Sequence, residues 1–260
     1  MNAKTLIVAT AILGALGIGT WSFRTRGEPP ARLRVGEPVI VELFSSEGCS
    51  SCPPADAYVA ALDREQPIEG VRVIVLELHV DYWDRLGWTD PFGSHDFSER
   101  QSEYARVLTK NSIYTPQIVF DGHALMVGGD EDVARRQIVE SAKEPKARVG
   151  IELTGRGKLG IAVADAPKDD DDVSHVMVAV TESHLQSDVG AGENRGRALS
   201  HAPIVRQLKK VGVTEGGAFR GEVEIDVPIA WKPSALRYVA FVQKARTRKI
   251  VGAAAINGAQ

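Results

Sequence analysis

The segment Phe44-Ser-Ser-Glu-Gly-Cys49-Ser-Ser-Cys52-Pro53-Pro54 holds the only two cysteines of this 260-residue chain. Scattered cysteines would predict a disulfide framework, and two separated pairs would predict a zinc site. A single C-x-x-C that follows an apolar run and precedes a helical pattern instead favours dithiol redox chemistry. Cys49 and Cys52 are therefore the first candidates for catalytic residues.

The flanking sequence predicts a strand before the pair and a helix after it. Residues 38–44 are mostly apolar and rich in β-branched side chains, which is typical of a buried strand. Apolar residues then recur at helical spacing from Ala55 to Leu62. The two prolines indicate a helix start near Ser50 or Ser51, because proline is tolerated only in the first turn. The positive end of the helix dipole would then stabilise a Cys49 thiolate.

Two other interpretations of the cysteine pair remain open. The pair could be an inert disulfide, although a loop this short gives little cross-link stabilisation. Two thiolates are also ligands for copper(I) or zinc, so Cys49 and Cys52 could hold a soft metal, with His79 as a further ligand. The redox interpretation needs no bound cofactor.

A second segment, Ile113-Tyr-Thr115-Pro116-Gln117-Ile-Val-Phe120, predicts a later strand, and Asp121-Gly122 predicts a turn after it. With these elements in order, the chain resembles the thioredoxin-like superfamily. The resemblance implies that Thr115-Pro116 is a cis peptide bond lying against the cysteines, with the Thr115 backbone available to a substrate peptide. An ordinary trans proline at a strand start is the alternative.

Glu42 interrupts the apolar strand before the cysteines. Thioredoxins carry a buried acid at about this place, so the resemblance implies that Glu42 accepts the proton of Cys52 during exchange. Alternatively, the strand turns this side chain towards polar neighbours.

Several longer motifs resemble a narrower bacterial exported family, domain of unknown function 1223. They include Glu42 to Asp56, His79 to Phe92, Arg100-Gln101, Tyr114 to Gln117 and Gly192 to His201. The resemblance covers roughly residues 37–256. It implies a thioredoxin-like fold, and it carries no reaction that could be transferred to this chain.

The end of the second predicted strand, residues 71–80, carries further candidate site residues. His79 and Asp81 share one side of an extended chain, so both could face the cysteine pair. Trp83 and Trp88 could form an apolar wall or lid that binds substrate. A packed aromatic loop between two domains is the alternative. Polar residues of the long loop 183–202 could brace the two halves or line a groove; they are Asn194, Arg197 and His201.

The predicted fold class is an α/β thioredoxin-like domain, a mixed sheet flanked by helices, followed by an all-β sandwich-like domain. Helical periods give way after Pro145 to seven short alternating segments, which are typical of a sandwich. The predicted boundaries are a signal peptide or signal anchor over residues 1–26, a linker over 27–36, the thioredoxin-like domain over 37–145 and the β-sandwich-like domain over 146–260.

The composition and the N-terminus limit the location and the partners. Residues 6–18 are apolar and lie between Lys4 and Arg24, which predicts a cleaved signal or an N-terminal membrane anchor. The body is thus expected to be periplasmic or otherwise exported. With 31 basic and 34 acidic residues and no basic stripe, nucleic acid is not an expected partner.

Three hypotheses for function follow from these residues. The first is a periplasm-facing thiol–disulfide oxidoreductase that acts on a thiol or disulfide protein substrate or on a small thiol. The second is a copper or other soft-metal carrier that uses the same cysteines. The third is a non-catalytic interaction protein with a structural disulfide.

Overall fold

A computed structural model describes residues 36–169 and 171–258 of the chain. Within these residues the α-helices are α1 (Pro53–Glu65), α2 (His95–Leu108) and α3 (Glu131–Lys143), and short 3-10 helices span Asp81–Leu86 and Pro233–Ala235. Strands form most of the remainder. They are β1 (Glu37–Ser45), β2 (Val71–Val80), β3 (Gly93–Ser94), β4 (Gln117–Phe120), β5 (Ala124–Val127), β6 (Arg148–Gly155), β7 (Lys158–Ala164), β8 (Ser174–Glu182), β9 (Gln186–Asp188), β10 (Ala198–Ser200), β11 (Ile204–Val213), β12 (Phe219–Glu224), β13 (Leu236–Lys244) and β14 (Ile250–Asn257).

A nine-stranded mixed sheet forms the centre of the molecule. Its strands are ordered β14-β13-β8-β11-β2-β1-β4-β5, and β3 pairs with β2 outside that path. β2 is parallel to β1, β3 and β11, whereas β4 is antiparallel to β1. β12, β7 and β6 form a separate three-stranded sheet, and β9 and β10 form a two-stranded one.

The expected fold class, a helix-flanked thioredoxin-like domain followed by a separate sandwich-like domain, is wrong. Strands from both predicted halves share the nine-stranded sheet, because β11 adds to β2 with Ile204 opposite Glu77. In the described part of the chain, strands outweigh helices, at 42% against 22%. An exposed strand edge is a liability for a protein, and here β11 and the strands beyond it cover that edge of β2.

Apolar side chains on both faces of the sheet form the core. On one face, alternate residues of β1 and β2 pack with residues of α1 and α3, including Val41, Val75, Val59 and Ile138. On the other face, Phe44 packs with Tyr104 of α2 and with the late strands. The three-stranded sheet packs on the β8 and β13 part of the large sheet. β1 and β2 therefore lie in the interior of the molecule, with helices packed on both of their faces.

The start of α1 differs from the sequence prediction. The helix begins at Pro53, with Cys52 as its N-cap and prolines at its first two positions, rather than near Ser50 or Ser51. This placement follows from the chemistry of proline, which favours the very first helical position because its missing N–H has no intrahelical partner there. Cys52, and not Cys49, is thus the residue at the N-terminus of the helix.

Among the described residues, no helix combines the length and the apolar character needed to cross a membrane. The predicted signal or anchor over residues 1–26 lies outside the described residues, as does the predicted linker except for Gly36.

Candidate functional site

The site is centred on a disulfide between Cys49 and Cys52. Both cysteines lie between the end of β1 and the start of α1, and both are buried, with 1% and 0% of their surface exposed. The neighbouring Ser50 and Ser51 are exposed. The chain between the two cysteines thus reaches the surface, while the sulfur atoms lie beneath it.

The Thr115–Pro116 peptide bond is cis, which confirms that part of the expectation from the resemblance. Pro116 lies close to α1, since a β-carbon placed on Gly128 would be 2.9 Å from both the Pro116 ring and the Ala55 side chain. The hydroxyl of Thr115 accepts a hydrogen bond of 2.8 Å from the indole N–H of Trp83. The start of β4 and the aromatic segment are therefore fixed to each other beside the helix.

The two tryptophans contact the loop that carries the cysteines. A β-carbon on Gly48 would lie 3.1 Å from Cβ of Trp83, so this backbone and this side chain are in direct contact. The indole N–H of Trp88 donates a 2.7 Å hydrogen bond to the carboxylate of Glu47. Both rings are half-buried. Both side chains therefore lie against the cysteine loop.

A buried cluster of carboxylates and imidazoles lies below the cysteine loop. His79 bonds through Nδ1 to Asp90 and through Nε2 to Glu77, both at 2.8 Å. The three side chains are almost completely buried. Burial alone would lower the pKa of His79, but the charges and hydrogen bonds of Asp90 and Glu77 raise it well above its ordinary value.

His201 joins this cluster from the segment just before β11. Its Nε2 lies 3.2 Å from the Glu47 carboxylate, and its Nδ1 lies 3.6 Å from Glu77. Burial lowers the pKa of His201, but these two carboxylates outweigh that effect and raise it to about 9. Ser187 also donates a short hydrogen bond to Glu47. The late part of the chain thus completes the site.

Asp56 is the buried acid nearest in sequence to Cys52, one helical turn further along α1. Its backbone N–H donates to the Cys52 carbonyl oxygen at 3.1 Å, and its carboxyl group accepts a 2.6 Å hydrogen bond from Ser45. Burial, followed by the charge of Glu77, raises the pKa of Asp56 to about 8. A carboxyl group with this pKa can both hold and release a proton near neutral pH.

Glu42 has different partners from those expected. Its carboxylate accepts two hydrogen bonds from the Arg100 guanidinium, at 2.6 and 3.1 Å, and another from Tyr104. These partners lie on α2, across the sheet from α1. Among the described residues, the predicted role of Glu42 as proton acceptor for Cys52 therefore has no supporting contact.

Asp81 does not join His79, since β2 ends at Val80 and Asp81 begins a 3-10 helix. Its carboxylate instead accepts a 2.5 Å hydrogen bond from Ser98, at the start of α2. Asp90 occupies the place beside His79 that the sequence prediction gave to Asp81.

A loop over residues 189–197 covers the cysteines. The side-chain amide of Asn194 donates to the carbonyl oxygens of Glu47 and Cys49, both at 2.9 Å. The Glu193 carboxylate accepts hydrogen bonds from the backbone and the hydroxyl of Ser50. The Arg197 guanidinium in turn donates a hydrogen bond to the side-chain oxygen of Asn194. Of the two roles suggested for this loop, the observed contacts fit bracing.

The sequence prediction missed Glu47, Asp56, Glu77 and Asp90 as site residues, and it suggested His201 only as a bracing or groove-lining residue. One signal was present for Glu77. Glu77 and His79 lie on the same buried face of β2 as Val73 and Val75. Polar side chains on a buried face need hydrogen-bond partners. No local pattern connects them with residues as distant as His201.

The fold and the site define a β-rich protein that carries one buried disulfide above a buried cluster of acids and histidines. The chain belongs to the family described as Protein of unknown function (DUF1223), which it matches over residues 40–243. This confirms the family to which the sequence motifs pointed.

Two solved structures share this architecture. A protein from Agrobacterium tumefaciens is 28% identical with a TM-score of 0.69, over 86% of this chain and 96% of that one. HBP35 of Porphyromonas gingivalis is 15% identical with a TM-score of 0.63, over 85% of this chain and 75% of that one. The second likeness concerns the fold alone. A comparison with curated proteins found no match.

Proposed function

We propose that the chain is a periplasm-facing thiol–disulfide oxidoreductase that exchanges its Cys49–Cys52 disulfide with thiols of proteins or small molecules. The observation that carries the proposal is the position of this disulfide. It joins the chain's only two cysteines at the N-terminus of α1, one turn before a buried carboxyl group. A helix N-terminus stabilises thiolate, which is the attacking and the leaving species in exchange.

The exchange would proceed in two balanced steps. A substrate thiolate attacks the Cys49 sulfur, which forms a mixed disulfide and breaks the Cys49–Cys52 bond. The electron pair leaves on Cys52, and the buried acid Asp56, one helical turn further along α1, would supply the proton for that thiolate. A second substrate thiolate then attacks the substrate sulfur of the mixed disulfide and releases reduced Cys49. The substrate loses two electrons, and the protein gains them.

The reverse direction uses the same atoms. The thiolate of reduced Cys49 attacks a substrate disulfide, and Cys52 resolves the mixed disulfide after Asp56 accepts its proton. The reduction potential of the pair relative to its compartment sets the direction. A disulfide persists in oxidising compartments, which supports a location outside the cytoplasm.

The surroundings of the pair support a substrate-binding role for the adjacent wall. Trp83 contacts the cysteine loop and fixes Thr115, so it links the disulfide to the start of β4. A substrate peptide that reaches Cys49 would lie along Thr115 and Pro116 and against the two indole rings. Because Cys49 is buried, such a substrate also requires the 189–197 loop to move.

Trapping of mixed disulfides tests the proposal. In Cys52→Ser the Cys49 adduct has no resolving thiol, so we expect covalent partners on non-reducing gels that a reductant releases. The double variant Cys49→Ser/Cys52→Ser should trap none. Ser51→Ala is the matched control, because it changes the same loop and leaves both thiols.

The same variants test the other two hypotheses. If Cys52→Ser traps no partner and the wild-type disulfide fails to exchange with reduced glutathione, the oxidoreductase proposal is wrong. Copper that binds stoichiometrically to the reduced protein, and is lost in either single variant, would favour the soft-metal carrier instead. If the disulfide does not exchange and the reduced protein binds no copper, the hypothesis of a non-catalytic interaction protein would be favoured.

A further inference from the structure

We propose that Glu77, His79 and His201 form a binding site for a divalent first-row metal ion, with Zn²⁺ as the ion that best fits their donors. One carboxylate oxygen and one nitrogen from each imidazole lie within 4.8 Å of one another. This site uses neither cysteine, and it goes beyond the proposed redox function.

Two of the donors lie on β2, and the third lies in the segment just before β11, which runs parallel to β2. Glu77 and His79 alternate on one face of β2, so their side chains project to the same side. His201 precedes β11, whose first residue, Ile204, pairs with Glu77. The backbone therefore fixes all three donors at one end of the sheet.

Each histidine is oriented by a second carboxylate. His79 uses Nδ1 to bond Asp90 and keeps Nε2 towards Glu77. His201 uses Nε2 towards Glu47 and keeps Nδ1 towards Glu77. Metal-binding histidines in proteins are held in this way, because a carboxylate on the far nitrogen fixes the ring and strengthens the near nitrogen as a ligand.

Two buried polar atoms at this place are independent signs of a ligand. Among the described residues, neither Glu77 Oε2 nor His201 Nδ1 has a hydrogen-bond partner. The side chain of Glu77 is fully buried, and that of His201 is 1% exposed. A buried polar group without a hydrogen bond is costly, and a cation between the two side chains would give both atoms a partner closer than the 3.6 Å that separates His201 Nδ1 from Glu77 Oε1.

The donor set favours zinc among common metals. Imidazole and carboxylate ligands suit Zn²⁺, which binds nitrogen and oxygen at about 2.0–2.2 Å in a tetrahedral arrangement. Three protein ligands leave a fourth position for water or for a group of another molecule. Calcium and magnesium prefer oxygen ligands alone, so two histidines disfavour them.

The experiment uses the purified chain, stripped with a chelator, loaded with Zn²⁺ and passed over a desalting column. Elemental analysis should find one zinc per chain in the wild type. His79→Gln and His201→Gln should each weaken binding at least tenfold, and Asp90→Asn should weaken it about 10- to 100-fold by releasing His79. His95→Gln should bind like the wild type, because His95 is an exposed histidine that contacts Asp81 and Glu99 instead.

A second measurement does not depend on folding of the buried-site variants. Cobalt(II) loaded into the wild type should give the visible bands of a tetrahedral nitrogen and oxygen site, without thiolate charge transfer. Cys49→Ser/Cys52→Ser should keep stoichiometric zinc, whatever becomes of disulfide exchange. The proposal is overturned if loaded wild type retains no zinc, or if the cysteine variant loses it while both histidine variants keep it.

Discussion

The side-chain amide of Asn194 bonds the backbone carbonyl of Cys49 at 2.9 Å, across 145 residues of sequence. The same amide also bonds the carbonyl oxygen of Glu47. A single side chain thus connects the cysteine loop to the loop that covers it.

Asn194→Ala should loosen this cover. It leaves the Glu47 carbonyl without its amide partner in a buried place, at a cost of about 1–3 kcal/mol. We therefore expect faster reduction of the disulfide by dithiothreitol, about tenfold for each 1.4 kcal/mol, followed by thiol labelling over time. Gln186→Ala removes an exposed amide from β9 and should leave the rate unchanged. Equal rates for Asn194→Ala and the wild type would contradict the role of the loop as a cover.

Asp56 should make stability fall as the pH rises. Its pKa is raised from 3.8 to about 8 in the folded protein, so the folded state holds a proton that the unfolded state has lost between those values. The free energy of unfolding should then decrease by about 1.4 kcal/mol per pH unit across that range. His201, with a pKa raised to about 9, acts in the same direction above about pH 6.5.

The comparison of wild type with Asp56→Asn isolates the Asp56 contribution. Asparagine keeps an oxygen that accepts from Ser45 and has no titrating proton. Urea unfolding at several pH values should show the decline in the wild type and a shallower one in the variant. Parallel curves for the two proteins would show that Asp56 has an ordinary pKa.

Arg100→Met should destabilise the fold strongly. Arg100 and Glu42 form a buried ion pair, and removal of one partner leaves an uncompensated charge, which typically costs about 3–5 kcal/mol. Arg64→Met is the control, because Arg64 pairs with Glu65 on the surface and such pairs contribute at most about 1 kcal/mol. Denaturant unfolding measures both. Similar losses for the two variants would show that burial of the Glu42 pair is unimportant.

Gly122→Ala should destabilise the protein far more than Gly196→Ala. Both glycines have positive φ angles, 68° and 79°, so alanine adds about 1–2 kcal/mol of backbone strain at either. At Gly122 the added β-carbon would also lie 2.0 Å from the Arg248 carbonyl oxygen, whereas at Gly196 nothing lies within 4 Å. Thermal unfolding should show a much larger fall in Tm for Gly122→Ala. Equal falls in Tm for the two variants would mean that the backbone near Gly122 shifts to accommodate the added β-carbon at no further cost.

Elements with a strong local pattern were predictable from the sequence. The predicted strand over residues 71–80 matches β2, and the predicted strand over residues 38–44 lies within one residue of β1 at either end. These elements are long, and their apolar runs decide them without help from distant residues. β9 and β10 lie in a segment predicted as loop, because three-residue strands of polar composition carry no such run.

The fold class and half of the site could not be predicted in the same way. The pairing of β11 with β2 depends on which strand edges are free in the folded protein. The sequence of a strand does not specify which other strand lies beside it. The site residues Glu77, Asp90 and His201 are likewise spread along the chain. Cys49, Cys52 and Pro116 were predictable because each belongs to a short motif with its own chemistry.

During synthesis of the chain, both cysteines are made before the loop that covers Cys49. Ribosomes add about 5–20 residues per second, so Asn194 is added roughly 7–30 s after Cys49. Throughout that interval the growing polypeptide carries both cysteines without the residues that later shield them. The first thiols or oxidants that the pair meets are therefore those present before the protein has folded.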